Sequence, residues 1–104
     1  MTKNEHNGWT NYETWLVKLW QDNDQCKQGY WQKQAEECVR VDGEHAPTSL
    51  SDIMKGHYEE ASGELVGVTG FWTDLMGAAL SEVNWREIAE NWIAGVDVEE
   101  TKAA

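Results

Sequence analysis

The chain is short of positive charge: it has 8 Lys and Arg against 19 Asp and Glu, a formal net charge of −11. Direct nucleic-acid binding needs a basic footprint that neutralises phosphates, and none is present here. An anionic membrane surface is disfavoured for the same reason. No apolar run approaches the roughly 18 residues that cross a bilayer. The opening MTKNEHNG also lacks the apolar stretch of a secretory leader. Cysteine is scarce, and Cys26 and Cys38, without an export signal, read as reduced thiols. These absences lead to the expectation of a cytoplasmic chain that contacts neither nucleic acid nor membrane directly.

Signatures of catalysis are also missing. The sequence has no Gly-rich phosphate loop, no nucleophile elbow and no histidine pair at metal spacing. Asp22-Asn23-Asp24 begins like a calcium loop, which requires Gly at its sixth position and Glu at its twelfth. Those positions are Lys27 and Lys33, which repel a cation. Neither Cys26 nor Cys38 has a ligand pair beside it, which argues against zinc. The expectation is no enzyme, no metal and no cofactor.

What the chain does hold is aromatic area. Seven tryptophans and three tyrosines in 104 residues suffice for one domain with a modest core. No stretch alternates with a two-residue period, whereas helical spacing recurs throughout. Thr10-Asn11-Tyr12-Glu13 fits a capping box, with Asn11 as the alternative cap. Tyr12, Trp15, Leu16, Leu19 and Trp20 then share one face, predicting a helix to about 22–24 that buries them, with Trp9 packing back before its cap. A second helix over 25–41 carries Tyr30, Trp31, Gln34, Ala35, Cys38 and Val39 on its stripe.

DGEHAPTS, 42–49, reads as a loop holding the only proline. A third helix, capped at Thr48 or Ser49 and reaching about 65, uses Leu50, Ile53, Met54, Tyr58, Ala61 and Leu65. After a short linker ending near Thr69, a possible cap, the fourth uses Phe71, Trp72, Leu75, Met76, Ala79, Leu80 and Val83. Asn84 and Glu87 open a fifth, with Trp85, Ile88, Ala89, Trp92 and Ile93 inward. The expected fold is all-α: a single small domain, 9–96, of four or five helices around a Trp-rich core. A flexible tail, 1–8, and a frayed acidic tail, 97–104, flank it.

The acidic residues are unevenly spread. Between Lys55 and Arg86 there is no positive side chain, yet Glu59, Glu60, Glu64, Asp74 and Glu82 all occur. Glu60 and Glu64 fall at i, i+4, where like charges mildly destabilise a helix, so the fold does not require them there. They form either a solvated face or a negative surface complementary to a basic groove. Of Trp15, Trp20, Trp72, Trp85 and Trp92, all on apolar stripes, at least four are expected to pack inside. Trp9 and Trp31 are then the candidate aromatic anchors for a partner. Seven tryptophans exceed what so small a core obviously needs, which allows a homodimer or a partner interface.

WTNYETWLVKLWQDND, Trp9 to Asp24, resembles the opening of small, mostly uncharacterised proteins encoded by bacteriophages and other mobile elements. Those proteins begin with a W-[TS]-N-x-E-T-W segment followed by an LW-x-x-ND turn, and VNWREIAENWI resembles their closing helix. The middle, about 25–82, has no counterpart in the resemblance. No catalytic residue is carried over with it. The resemblance implies a mobile-element origin in a bacterial host cell, where small acidic proteins without enzyme motifs are often anti-CRISPR or anti-restriction inhibitors. The expected partner is therefore a basic host protein such as a CRISPR–Cas effector or restriction enzyme. The expected contact residues are Asp22, Asp24, Glu36, Glu37, Glu59, Glu60 and Glu64. A non-catalytic interaction module that uses exposed tryptophan is the alternative.

Overall fold

The computed structural model describes residues 6–66 (backbone alone from 64) and 70–96. The chain is all-α. Its elements are α1 Tyr12–Asn23, α2 Gln25–Asp42, a 3-10 turn Gly43–His45, α3 Ala46–Val66, α4 Phe71–Ser81 and α5 Trp85–Ala94. The expected residues 1–5 and 97–104 of the tails, Thr69 and the side chains of Glu64 and Leu65 lie outside the described residues.

The core is built by α2, α3 and α5. Trp31, Ala35, Cys38 and Val39 from α2 meet Ala46, Leu50 and Met54 from α3, and Trp85, Ile88 and Ala89 from α5. Tyr58 lies between two tryptophans: its ring stacks 6.1 Å from Trp31 and 5.3 Å from Trp85. This column crosses all three helices, and each large side chain it buries adds about 1.5–3 kcal/mol. The stripes read for α2 and α5 thus face inward, although Tyr30 at the edge of the first is exposed.

The expected loop over 42–49 is shorter than its composition suggested. Gly43 takes φ +55°, where glycine carries no steric penalty, and its N–H donates back to the Val39 carbonyl. α3 then begins at Ala46, two residues before the expected cap. Pro47 fits because the first helical turn leaves its N–H groups without intrahelical partners, so the missing donor costs nothing there.

α1 and α5 start against one another. Asn11, not Thr10, caps α1: its side-chain Oδ1 accepts the Thr14 N–H at 2.9 Å and the Thr14 hydroxyl at 2.6 Å. Asn84 caps α5 by accepting the Glu87 N–H. The two caps then interlock. Asn84 donates its N–H to the Thr14 hydroxyl and its side-chain amide to Thr10, while the Thr10 N–H donates to the Glu87 carboxylate. Asn11 closes the junction by donating to the Glu82 carbonyl at 2.6 Å. Buried or half-buried polar groups require such partners, so this network fixes how α1 is rotated about its axis.

Candidate functional site

The rotation of α1 is the reverse of what its apolar stripe predicts. The helix buries Thr14, Lys18 and Gln21, while Tyr12 is 50 % exposed and Trp20 65 % exposed. Trp15, Leu16 and Leu19 are half-buried and lie outside the core. At about 100° per residue, the centre of the apolar stripe is directly opposite the buried polar residues. Periodicity identifies residues that share a face; it does not say which face turns inward.

The polar face is inward because its groups find partners. Gln21 accepts the Trp92 indole N–H at 2.8 Å, and its amide nitrogen lies 3.3 Å from the Tyr58 hydroxyl and 3.4 Å from the Met54 sulfur. Lys18 sets its ammonium 4.1 Å from the centre of the Trp92 ring and 2.5 Å from Asp22. Among the described residues, no buried side-chain nitrogen or oxygen lacks a partner. Of α1, only Val17 adds apolar packing to the core.

The outward face is extended by the segment before α1. Asn7 and Gly8, at φ 48° and 88°, form the Asn-Gly pair of a type I′ turn, with paired hydrogen bonds between His6 and Trp9. This turn sets the His6 ring 5.2 Å from Tyr12 and 4.5 Å from Trp15. His6, Tyr12 and Trp15 thereby form one aromatic cluster that continues along α1 through Leu16, Leu19 and Trp20.

α4 departs from its expected orientation in the same direction. None of its residues is buried, and Phe71, Trp72 and Leu75 are exposed; Leu80 packs against the edge of the core, and Val83, beyond the helix end, enters it. The expectation that at least four of the five stripe tryptophans pack inside is overturned. Trp85 is buried and Trp92 packs against the core, but Trp20 and Trp72 are outside.

The residues expected to touch a partner are dispersed. Asp24 caps α2 by accepting the Cys26 and Lys27 N–H groups, Asp22 pairs with Lys18, and Glu37 pairs with Arg40. Glu36 is half-buried on α2, and Glu59 and Glu60 are exposed on α3. The side chain of Glu64 is outside the described residues. Of the two aromatic anchors, Trp31 is 1 % exposed at the centre of the core and presents no surface. Trp9 is half-buried and lines an open cleft of about 300 Å³ with Gly8, Glu87, Glu90 and Asn91. Glu87 and Glu90 are already engaged, by the Thr10 N–H and by Arg86.

No group of three His, Cys, Asp or Glu residues that could hold a metal occurs among the described residues. No helix there is long and apolar enough to cross a membrane. The two cysteines are unpaired and differ in environment, with Cys26 exposed and Cys38 buried. Burial pushes the Cys38 thiol up, and the negative charges of Asp42 and Glu37 push it further. Its neutral form is therefore favoured in the fold: this stabilisation is full below the ordinary thiol pKa and is lost as pH rises through the raised value. A thiol-reactive disulfide reagent at neutral pH should titrate Cys26 alone in the native protein and both cysteines in denaturant. Equal native reactivity would contradict the packing of Cys38.

A family model described as "Family of unknown function (DUF7249)" matches residues 2–103. No curated protein and no solved structure matches the chain.

Proposed function

This chain belongs to the DUF7249 family of unknown function, and we propose that it is a non-catalytic protein-interaction module that binds through the outward face of α1. One observation carries this reading: α1 buries Thr14, Lys18 and Gln21 with satisfied polar contacts and leaves Tyr12 and Trp20 in solvent. Exposing the more apolar side of an amphipathic helix forgoes burial worth about 25 cal/mol per Å². Contiguous exposed apolar surface of this kind marks interaction sites, and Trp and Tyr are the residues most enriched at binding hot spots.

A second reading is favoured by charge. The net charge is −11, Lys55 to Arg86 encloses no cation, and Glu59 and Glu60 are exposed on α3. On this reading the chain is a mobile-element inhibitor, acting in the bacterial cytoplasm, that presents carboxylates to the basic groove of a CRISPR–Cas effector or restriction enzyme. The resemblance of Trp9–Asp24 to phage-encoded proteins supports that class of partner. A homodimer through exposed tryptophan is a third possibility within the first reading.

A binding panel of such effectors, titrated at rising salt, separates the two readings. Leu16→Ser combined with Trp20→Ser should weaken binding at least about tenfold if α1 is the contact. Glu59→Gln combined with Glu60→Gln should then have little effect. The reverse pattern, with steep loss of binding as salt rises, would overturn the α1 reading in favour of the acidic one. Binding that ignores both double variants would overturn both.

A further inference from the structure

We propose that the site α1 occupies is an apolar groove bordered by basic side chains on another protein, entered by α1 as an intact helix; this rests on the interaction-module reading. On a helix with about 100° between successive residues, Glu13 and Asp22 fall roughly a quarter turn to either side of the apolar stripe. The stripe therefore lies between two carboxylates. Asp24, exposed just past the last turn, adds a third acid at the C-terminal end.

The only cation on α1 does not offset this outward. The Lys18 side chain is 10 % exposed, folded over Trp92, whereas that of its partner Asp22 is 44 % exposed. Lys18 neutralises part of the Asp22 charge from behind and presents no positive group beside the stripe. Among the described residues, no cation forms an ion pair with Glu13. The pattern on the stripe, with Tyr12, Trp15, Leu16 and Leu19 at i, i+3, i+4 and i+7, is the anchor spacing of a helix laid into a groove.

Charge and size argue against the other occupants. A second copy would bring the same acidic flanks together, on two chains each carrying −11. α1 is about 18 Å long, so two such faces in contact would bury far less than the roughly 800 Å² per partner of a standard interface. A groove that wraps the helix buries more of it. The chain's own segment 97–104 carries Asp97, Glu99 and Glu100 against Lys102, the wrong sign to lie between Glu13 and Asp22.

The test uses the full chain and two synthetic helical-hairpin peptides. Each presents the same leucine-lined groove between its two helices; one groove is bordered by Lys and the other by Glu. Isothermal titration at low salt should show the Lys peptide binding at least about tenfold tighter, with the preference collapsing as salt rises. Trp20→Ser should abolish binding of the Lys peptide, Glu13→Gln should reduce its preference, and Glu59→Gln with Glu60→Gln should leave it unchanged. Equal binding of both peptides would overturn the charged flanks while leaving the α1 interaction intact. Binding of neither would overturn both proposals. Sedimentation showing a dimer that Trp20→Ser dissolves would replace the basic groove with a second copy.

Discussion

Trp31→Ala is expected to destabilise the fold by about 3–5 kcal/mol, and Trp20→Ser to leave stability within about 0.5 kcal/mol. Both residues are tryptophans on helical apolar stripes, so sequence alone gives no reason for the difference. Trp31 is 1 % exposed and contacts Tyr58, His57 and Tyr30 through its ring, whereas Trp20 is 65 % exposed. Removing the Trp31 indole leaves a cavity beneath the stacked Tyr58, and Tyr58 in turn supports Trp85. A domain of this size is stable by about 5–15 kcal/mol in total, so this single change consumes a large part of it. Urea denaturation monitored by far-UV circular dichroism gives both numbers. Similar losses at the two positions would mean that the orientation of α1 is wrong.

The parts of the fold that were legible in the sequence are those decided by local chemistry. Asn84 and Glu87 mark the start of α5, and the stripe from Trp85 to Ile93 packs inward as its spacing requires. α2 runs within a residue of its expected end, because Gly43 can take the positive φ that terminates it. The start of α3 was hidden because proline and glycine read as a loop, although proline is also at home in a first helical turn.

The orientation of α1 was not legible, for a different reason. Its apolar stripe is real, and the usual inference buries it. What overrides that inference is a set of contacts far apart in sequence, including Thr14 with Asn84 across 70 residues and Gln21 with Trp92 across 71. No window of sequence contains both partners. The W-T-N-x-E-T-W opening thus gains a physical meaning: Thr10 and Thr14 meet Asn84 and Glu87, and Asn11 meets the Glu82 carbonyl. Its conspicuous tryptophans contribute less to that junction than its small polar residues. Of the two expected aromatic anchors, Trp31 is buried because it lies on the α2 stripe with Ala35, Cys38 and Val39, and that stripe faces inward.

Gln21→Met keeps nearly the same volume, adds hydrophobicity and is expected to destabilise the protein by about 1–3 kcal/mol. If α1 turned its apolar stripe inward, position 21 would lie at the surface and the change would fall within about 0.5 kcal/mol of neutral. In the observed packing Gln21 is fully buried, its carbonyl oxygen accepts the Trp92 N–H at 2.8 Å, and its amide reaches Tyr58 and Met54. Methionine supplies no comparable acceptor, so the indole N–H of a half-buried tryptophan loses its partner, and α1 loses its tie to α3 and α5 together. A loss of this size from a more hydrophobic side chain has no explanation in transfer free energy, which favours methionine. Combining Gln21→Met with Trp92→Phe removes the orphaned N–H as well, and that double variant should recover part of the loss. Such non-additivity, read from denaturation midpoints of the four proteins, isolates the pairwise contribution. A neutral Gln21→Met would remove the polar anchoring of α1, and with it the reason for its aromatic face to be in solvent.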